Sequence, residues 1–165
     1  EQAVSTLFVP KYKEFIMKNY FKIQLPAIGE NEGFARNVIS AFVLPLSPTI
    51  EEINDLKTAV SEAVTNCIVH AYADTVGMIY IWAGIYENSV FKVKIKDKGC
   101  GIADVKRAME PLFTTLGGER AGLGFAVMGS FCDKITVRSK PASSILVTAP
   151  ALLMPASRAS IRTTI

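Results

Sequence analysis

Lys57-Thr-Ala-Val-Ser-Glu-Ala-Val-Thr-Asn66, with His70-Ala-Tyr72 close behind, is the stretch whose reading decides the fold. Ser47-Pro48 and the Thr49-x-x-Glu52 capping box announce a long helix upstream of it. Along that helix Ile50, Ile53, Leu56, Val60, Val64, Cys67 and Ala71 recur at helical spacing, so one stripe is expected to face a core. Glu62 and Asn66 are one turn apart and share a face nearly opposite Val60 and Val64. An isolated Glu/Asn pair usually marks a solvated face, but here Glu62 is the sole formally charged residue between Thr58 and Ala73. A face that poor in charge is expected to be covered, by a ligand or by a lid. His70 continues the same polar line one turn on.

Working outward, Tyr20 to Leu25 alternates as a strand, and a helix is expected over about Asn31 to Leu44, ended by Pro45 and Pro48. Met78 to Tyr86 and Val90 to Asp97 are rich in β-branched and aromatic residues, with Glu87-Asn88-Ser89 as the turn of an antiparallel hairpin. In its second strand Phe91, Val93, Ile95 and Asp97 share one side while Lys92, Lys94 and Lys96 share the other, which turns Asp97 toward the core. A carboxylate there needs hydrogen-bond donors. The exocyclic amine of adenine is one candidate; capping of the following turn is the other. Gly99 and Gly101 let backbone pass close to a neighbour or take positive φ.

A short helix is expected around Val105 to Met109, then an irregular segment holding Pro111-Leu-Phe-Thr-Thr115 and Gly117-Gly118. Gly122-Leu-Gly124 opens a helix over roughly Leu123 to Phe131, and Ile135 to Arg138 and Ile145 to Thr148 are the last strand candidates. Glycine-rich backbone around Arg120 leading into a helix N-terminus suits phosphate oxygens, and Thr114 and Thr115 can add hydroxyl contacts. Neither the Walker-A nor the Rossmann pattern is present.

Composition bounds the rest. The chain has 165 residues, half of them hydrophobic, which suits one compact domain. A net charge of +3 comes from mixed signs rather than a basic block, so nucleic acid is not implied. Three scattered cysteines without Cys-x-x-Cys spacing argue against a disulfide framework or zinc site and suit a reducing cytoplasm. No apolar run is long enough to span a bilayer, and no signal-peptide pattern opens the chain. Lys13-Glu14 can be encoded by AAGGAG, a ribosome-binding sequence just ahead of Met17. Met17 is therefore the expected natural start, with residues 1–16 a leader or added segment, 17–149 the domain, and Pro150–Ile165 a tail with no assigned ordered role.

Taken together, Asn31-Glu-Gly-Phe-Ala-Arg36, Lys57 to Asn66, His70-Ala-Tyr72 and Pro111 to Thr115 make the chain, from about Met17 to Lys140, resemble the GHKL (Bergerat-fold) ATPase/kinase superfamily. Within it the wording is that of the anti-sigma serine kinases of endospore-forming bacteria. The resemblance implies a two-layer α/β sandwich, a mixed sheet with helices on one face and an ATP lid. It implies that Glu62 is the general base toward a substrate serine, and that Asn66 holds Mg²⁺ bridging the phosphates of ATP. Asp97 would bind the adenine amine, with Gly99, Gly101 and Thr115 near the base. His70 is counted with the nucleotide site, and Thr114 to Gly124, including Arg120 and Gly122, would form the lid.

By the same resemblance Arg36 would contact both a sporulation sigma factor and an anti-anti-sigma protein, and its helix would contribute to a homodimer. ATP or ADP with Mg²⁺ are the expected ligands, and no membrane or nucleic-acid partner is expected. One departure stands out: Ala142-Ser143-Ser144 replaces the family's glycine-rich turn. A sensor histidine kinase is disfavoured because His70, the sole histidine, lies inside the Glu/Asn motif and no phosphoacceptor helix precedes it. The competing reading is a nucleotide-responsive module that sequesters a sigma factor without catalysis, which has no need of a base at Glu62. A plain α/β domain without nucleotide is the third.

Overall fold

A computed structural model describes residues 16–72, 74–110, 124–132, 135–140 and 143–153. Strand β1 (Met17–Pro26) is followed by helix α1 (Glu30–Val43) and helix α2 (Ile50–Asn66). The hairpin strands β2 (Met78–Tyr86) and β3 (Val90–Lys96) come next, then the short α3 (Val105–Ala108), α4 (Gly124–Phe131), β4 (Thr136–Lys140) and β5 (Ser143–Leu153). The sheet order is β1-β2-β3-β5-β4, with α2 packed between α1 and α4. The α/β sandwich is as expected, but among the described residues the sheet is not mixed: its four ladders are all antiparallel. Each neighbour in space runs in the opposite direction, so no parallel pair arises.

Local chemistry explains the boundaries. Thr49 Oγ1 accepts from the Glu52 amide at 3.2 Å while the Glu52 carboxylate accepts from the Thr49 amide at 2.8 Å, so the capping box closes both ways and starts α2. Glu52 is itself buried by this exchange. The stripe of α2 is real but begins one turn later than its spacing suggests. Leu56, Val60, Val64, Cys67 and Ala71 are buried, whereas Ile50 is 80% exposed. As the first residue of the helix, Ile50 lies beyond the core.

Strand parity holds through the hairpin. Ile79, Ile81, Ala83 and Ile85 of β2 and Phe91, Val93 and Ile95 of β3 are buried against Ala35, Ile39 and Val43 of α1 and the stripe of α2. Phe21 of β1 meets Phe42 of α1 edge-on, with ring centroids 4.8 Å apart. Ser89, at φ 59°, closes the connection between β2 and β3 in the left-handed region. The opposite face gathers lysines that sequence order disperses. Lys22, Lys92, Lys94 and Lys98 stack over Tyr20, Tyr86, Trp82 and Tyr80 respectively, with ammonium-to-centroid distances of 4.7–5.8 Å.

β5 is longer than the expected Ile145 to Thr148 and continues past Pro150 to Leu153. Its register against β3 passes from Val93↔Ala149 to Phe91↔Leu152. Two residues, Pro150 and Ala151, therefore stand opposite Lys92, and a bulge is where a sheet accommodates a residue with no N–H. Residues 1–15 and 154–165, and most of the expected lid, lie outside the described residues. Among the described residues, no helix is long and apolar enough to cross a membrane.

Two stability outcomes follow from α2. Thr49→Ala should lower unfolding free energy by about 1 kcal/mol in urea denaturation, because the orphan amide at Glu52 loses its acceptor. Leu56→Ala should cost about 2–5 kcal/mol by cavity formation. Ile50→Ser, on the same sequence stripe, should stay within about 0.5 kcal/mol of the parent.

Candidate functional site

α2 brings Glu62 and Asn66, both half-buried, to the edge facing α4. The first residue of α4 is Gly124, and a β-carbon built on it would come within 2.9 Å of Glu62 Oε2, 3.4 Å of Asn66 Nδ2 and 3.6 Å of Asn66 Oδ1. The start of α4 is thus seated directly over the two polar side chains. The positive dipole end of α4 lies beside the Glu62 carboxylate, a setting that also suits phosphate. The cover expected for this stretch is a ligand or a lid; among the described residues it is the start of α4 that approaches the pair.

Immediately after Asn66 the helix changes pitch, and Cys67–Ala71 forms a π turn. Such turns arise where a helix must re-aim its last residues, and they are frequent at functional sites. The π turn meets the loop that follows β3. The Cys100 amide donates to Ala71 O at 3.0 Å, and the Cys100 thiol donates to His70 O at 3.2 Å. A β-carbon on Gly99 would lie 2.1 Å from Ala71 O, so glycine is required for this approach. Gly101 takes φ 75°, a second glycine requirement in the same loop. The Tyr72 hydroxyl then accepts from the Lys98 amide at 2.7 Å and donates to Met78 O at 2.9 Å, tying the loop to the start of β2.

Asp97, the residue just after β3, is 0% exposed. Its Oδ1 accepts from the Gly99 amide at 2.8 Å, and its Oδ2 accepts from the Cys67 thiol at 3.7 Å. Turn capping and a buried, core-facing carboxylate therefore coexist in one side chain. Burial, and then the charge and hydrogen bond of Asp97, push the Cys67 thiol well above the ordinary range, so it remains protonated. Burial also moves His70 below its ordinary value, which favours the neutral imidazole.

Glu62, Asn66 and Gly124 are brought into one cluster, and Asp97, Gly99 and Gly101 are joined to the same π turn from the other side. His70 enters through its carbonyl. Thr114, Thr115, Arg120 and Gly122 lie outside the described residues. Arg36 is exposed on α1, where it pairs with Glu32 at 3.6 Å, and Glu32 also accepts from Ser61 of α2, next to Glu62. Two contributors escaped the sequence reading. Cys67 belongs by spacing to the apolar stripe alone, and Tyr72 by itself carries no role in the chain; adjacency to Asn66 and His70 is the signal both carry.

The residues fit a nucleotide with a metal. A buried carboxylate at a glycine turn can accept from an adenine amine, an amide side chain is a hard oxygen donor for Mg²⁺, and a helix start above it can receive phosphate. No group of three or more His, Cys, Asp or Glu side chains able to hold a metal alone occurs among the described residues.

Residues 29–148 match the family described as the histidine kinase-like ATPase domain. The anti-sigma F factor of Caldanaerobacter subterraneus subsp. tengcongensis is 52% identical over 130 residues, covering 78% of this chain and 90% of that protein. The anti-sigma F factor of Priestia megaterium is 43% identical over 125 residues, covering 74% and 85%. Among solved structures, the RsbU and RsbW domains of a Mycobacterium tuberculosis protein superpose with a TM-score of 0.60 at 18% identity, covering 81% of this chain and 32% of that one. A histidine kinase domain from Erythrobacter litoralis superposes at 0.52, also at 18% identity, covering 78% and 62%. The structural likenesses carry the fold alone. The match over residues 29–148 and the sequence identities establish that the chain belongs to the histidine kinase-like ATPase family and, within it, to the anti-sigma F factors.

Proposed function

We propose that this chain is a protein-serine kinase that uses Mg-ATP to phosphorylate an anti-anti-sigma protein, and that it also holds a sporulation sigma factor inactive. The observation that supports this most directly is the seat of Gly124 over Glu62 and Asn66. It brings a carboxylate, an amide side chain and a helix N-terminus close together. Phosphoryl transfer asks the protein mainly for positioning and charge neutralisation, and these groups suffice. Glu62 would take the proton of the attacking serine hydroxyl, and the helix start of α4 would hold phosphate oxygens. Asn66 would hold Mg²⁺, which neutralises phosphate charge when bound. Asp97 would accept from the adenine amine, with Gly99 and Gly101 letting the backbone lie flat beside the base.

Arg36 would meet the sigma factor and the anti-anti-sigma protein in turn, and Glu32 would hold its guanidinium ready. In this reading the protein works in the cytoplasm as a homodimer built in part from α1. The expected lid, with Thr114, Thr115, Arg120 and Gly122, would fold over the phosphates. The alternative, a nucleotide-responsive sigma-sequestering module without catalysis, has no use for Glu62.

Transfer of radiolabel from ATP to the cognate anti-anti-sigma protein, run beside sigma binding, tests the pair. Glu62→Gln should lower the transfer rate by about 10²–10⁴-fold while leaving Mg-ADP binding within a factor of about two. Near-parental transfer would remove Glu62 from the chemistry, and no transfer by the parent protein would leave the binding module standing. Gly124→Ala should push the Glu62 carboxylate aside and slow transfer by about 10²-fold, since an ångström of misplacement is enough. Its melting temperature should be unchanged or slightly raised, because alanine favours the helix.

A further inference from the structure

We infer that Cys67 is a positioning residue for base recognition: its thiol, hydrogen-bonded to Asp97 Oδ2, holds that carboxylate in the orientation that reads the adenine amine. The inference rests on the proposed nucleotide role of Asp97. Cys67 occupies a core position of α2's stripe in line with Val60, Val64 and Ala71, where any small apolar side chain would fill the space. What distinguishes it is a donor. Both Cys67 and Asp97 are 0% exposed, so water does not compete for the carboxylate there.

One donor alone fixes one oxygen. The Gly99 amide at Oδ1, 2.8 Å away, comes from the glycine loop, and the thiol at Oδ2, 3.7 Å away, comes from the π turn. Two donors on two oxygens restrict rotation about the Cβ–Cγ bond and set the carboxylate plane. They also couple that plane to two elements, since the loop and the turn are themselves bonded through Cys100 and Ala71. A thiol is a weak donor.

The full chain is titrated calorimetrically with Mg-ADP and Mg-IDP, which differ at the 6-position where IDP carries a carbonyl in place of the amine. The parent is expected to prefer ADP. Parent protein that binds neither nucleotide, or both equally, overturns the nucleotide role of Asp97 and this inference with it. Given a parental preference, Cys67→Ala should weaken ADP by about three- to tenfold, the worth of one modest hydrogen bond. IDP should change by less than about twofold on the same scale. Cys67→Ser should recover the preference for ADP. An unchanged ADP/IDP ratio in Cys67→Ala, or equal loss of both, overturns the inference and leaves the nucleotide site intact. Infrared difference spectra of parent minus Cys67→Ser supply a readout independent of binding. The S–H stretch of Cys67 should lie at the lowered frequency of a hydrogen-bonded thiol, and a free-thiol frequency would overturn the assignment.

Discussion

The close approach of two main chains, Ala71 at the end of the π turn and Gly99 just after β3, is the constraint on which the rest of this structure depends. With 2.1 Å between Ala71 O and the place a Gly99 β-carbon would take, the contact tolerates only glycine. It brings the C-terminal end of α2 against the C-terminal end of β3. Every group assigned to nucleotide binding on those two elements is placed by that joint. Asp97 is carried in from the strand, Asn66 from the helix, and the Cys100 and Tyr72 hydrogen bonds keep the joint closed.

α2 serves the core and the site at once. Its apolar stripe, continued by Cys67 and Ala71 of the π turn, anchors it on the sheet, and from Thr58 to Asn66 its sole charged residue is Glu62. Charge on the edge facing α4 would be desolvated by that helix, which lies across it. Glu62 is tolerated because the positive end of α4 begins at Gly124, so the electrostatics of the cover match the one anion beneath it. The change of pitch at Cys67 follows directly after Asn66 and redirects the last turn toward the glycine loop. A regular α-helix would aim those residues differently.

Much of the architecture was legible because its signals are local. Thr49 and Glu52 sit three apart, the spacing a capping box requires, and both hydrogen bonds are present. The parity of Phe91, Val93, Ile95 and Asp97 survives because side chains on a strand must alternate. The same locality explains the misses. Periodicity counted Ile50 into the core because it cannot know where the neighbouring layer stops, and Ile50 is in solvent. Pro150 read as the end of order because a bulge is a property of a strand pair, not of one strand. Strand parity already puts Lys92 and Lys94 on one side of β3, but only folding brings Lys22 of β1 and Lys98 alongside them and stacks each on a ring.

The candidate site residues could be named from the chain alone, since Glu62 and Asn66 one turn apart, Asp97 just past a strand and the glycines beside them follow from helical and strand periods. Tertiary structure alone decided which of them touch. That Gly124 rests on Glu62, that Gly99 presses on Ala71, and that a stripe cysteine donates to Asp97 are contacts between residues 28 to 62 positions apart. Local periodicity sets the direction of a side chain along its own element. It does not set the distance to another element, which comes from packing the helices onto the sheet.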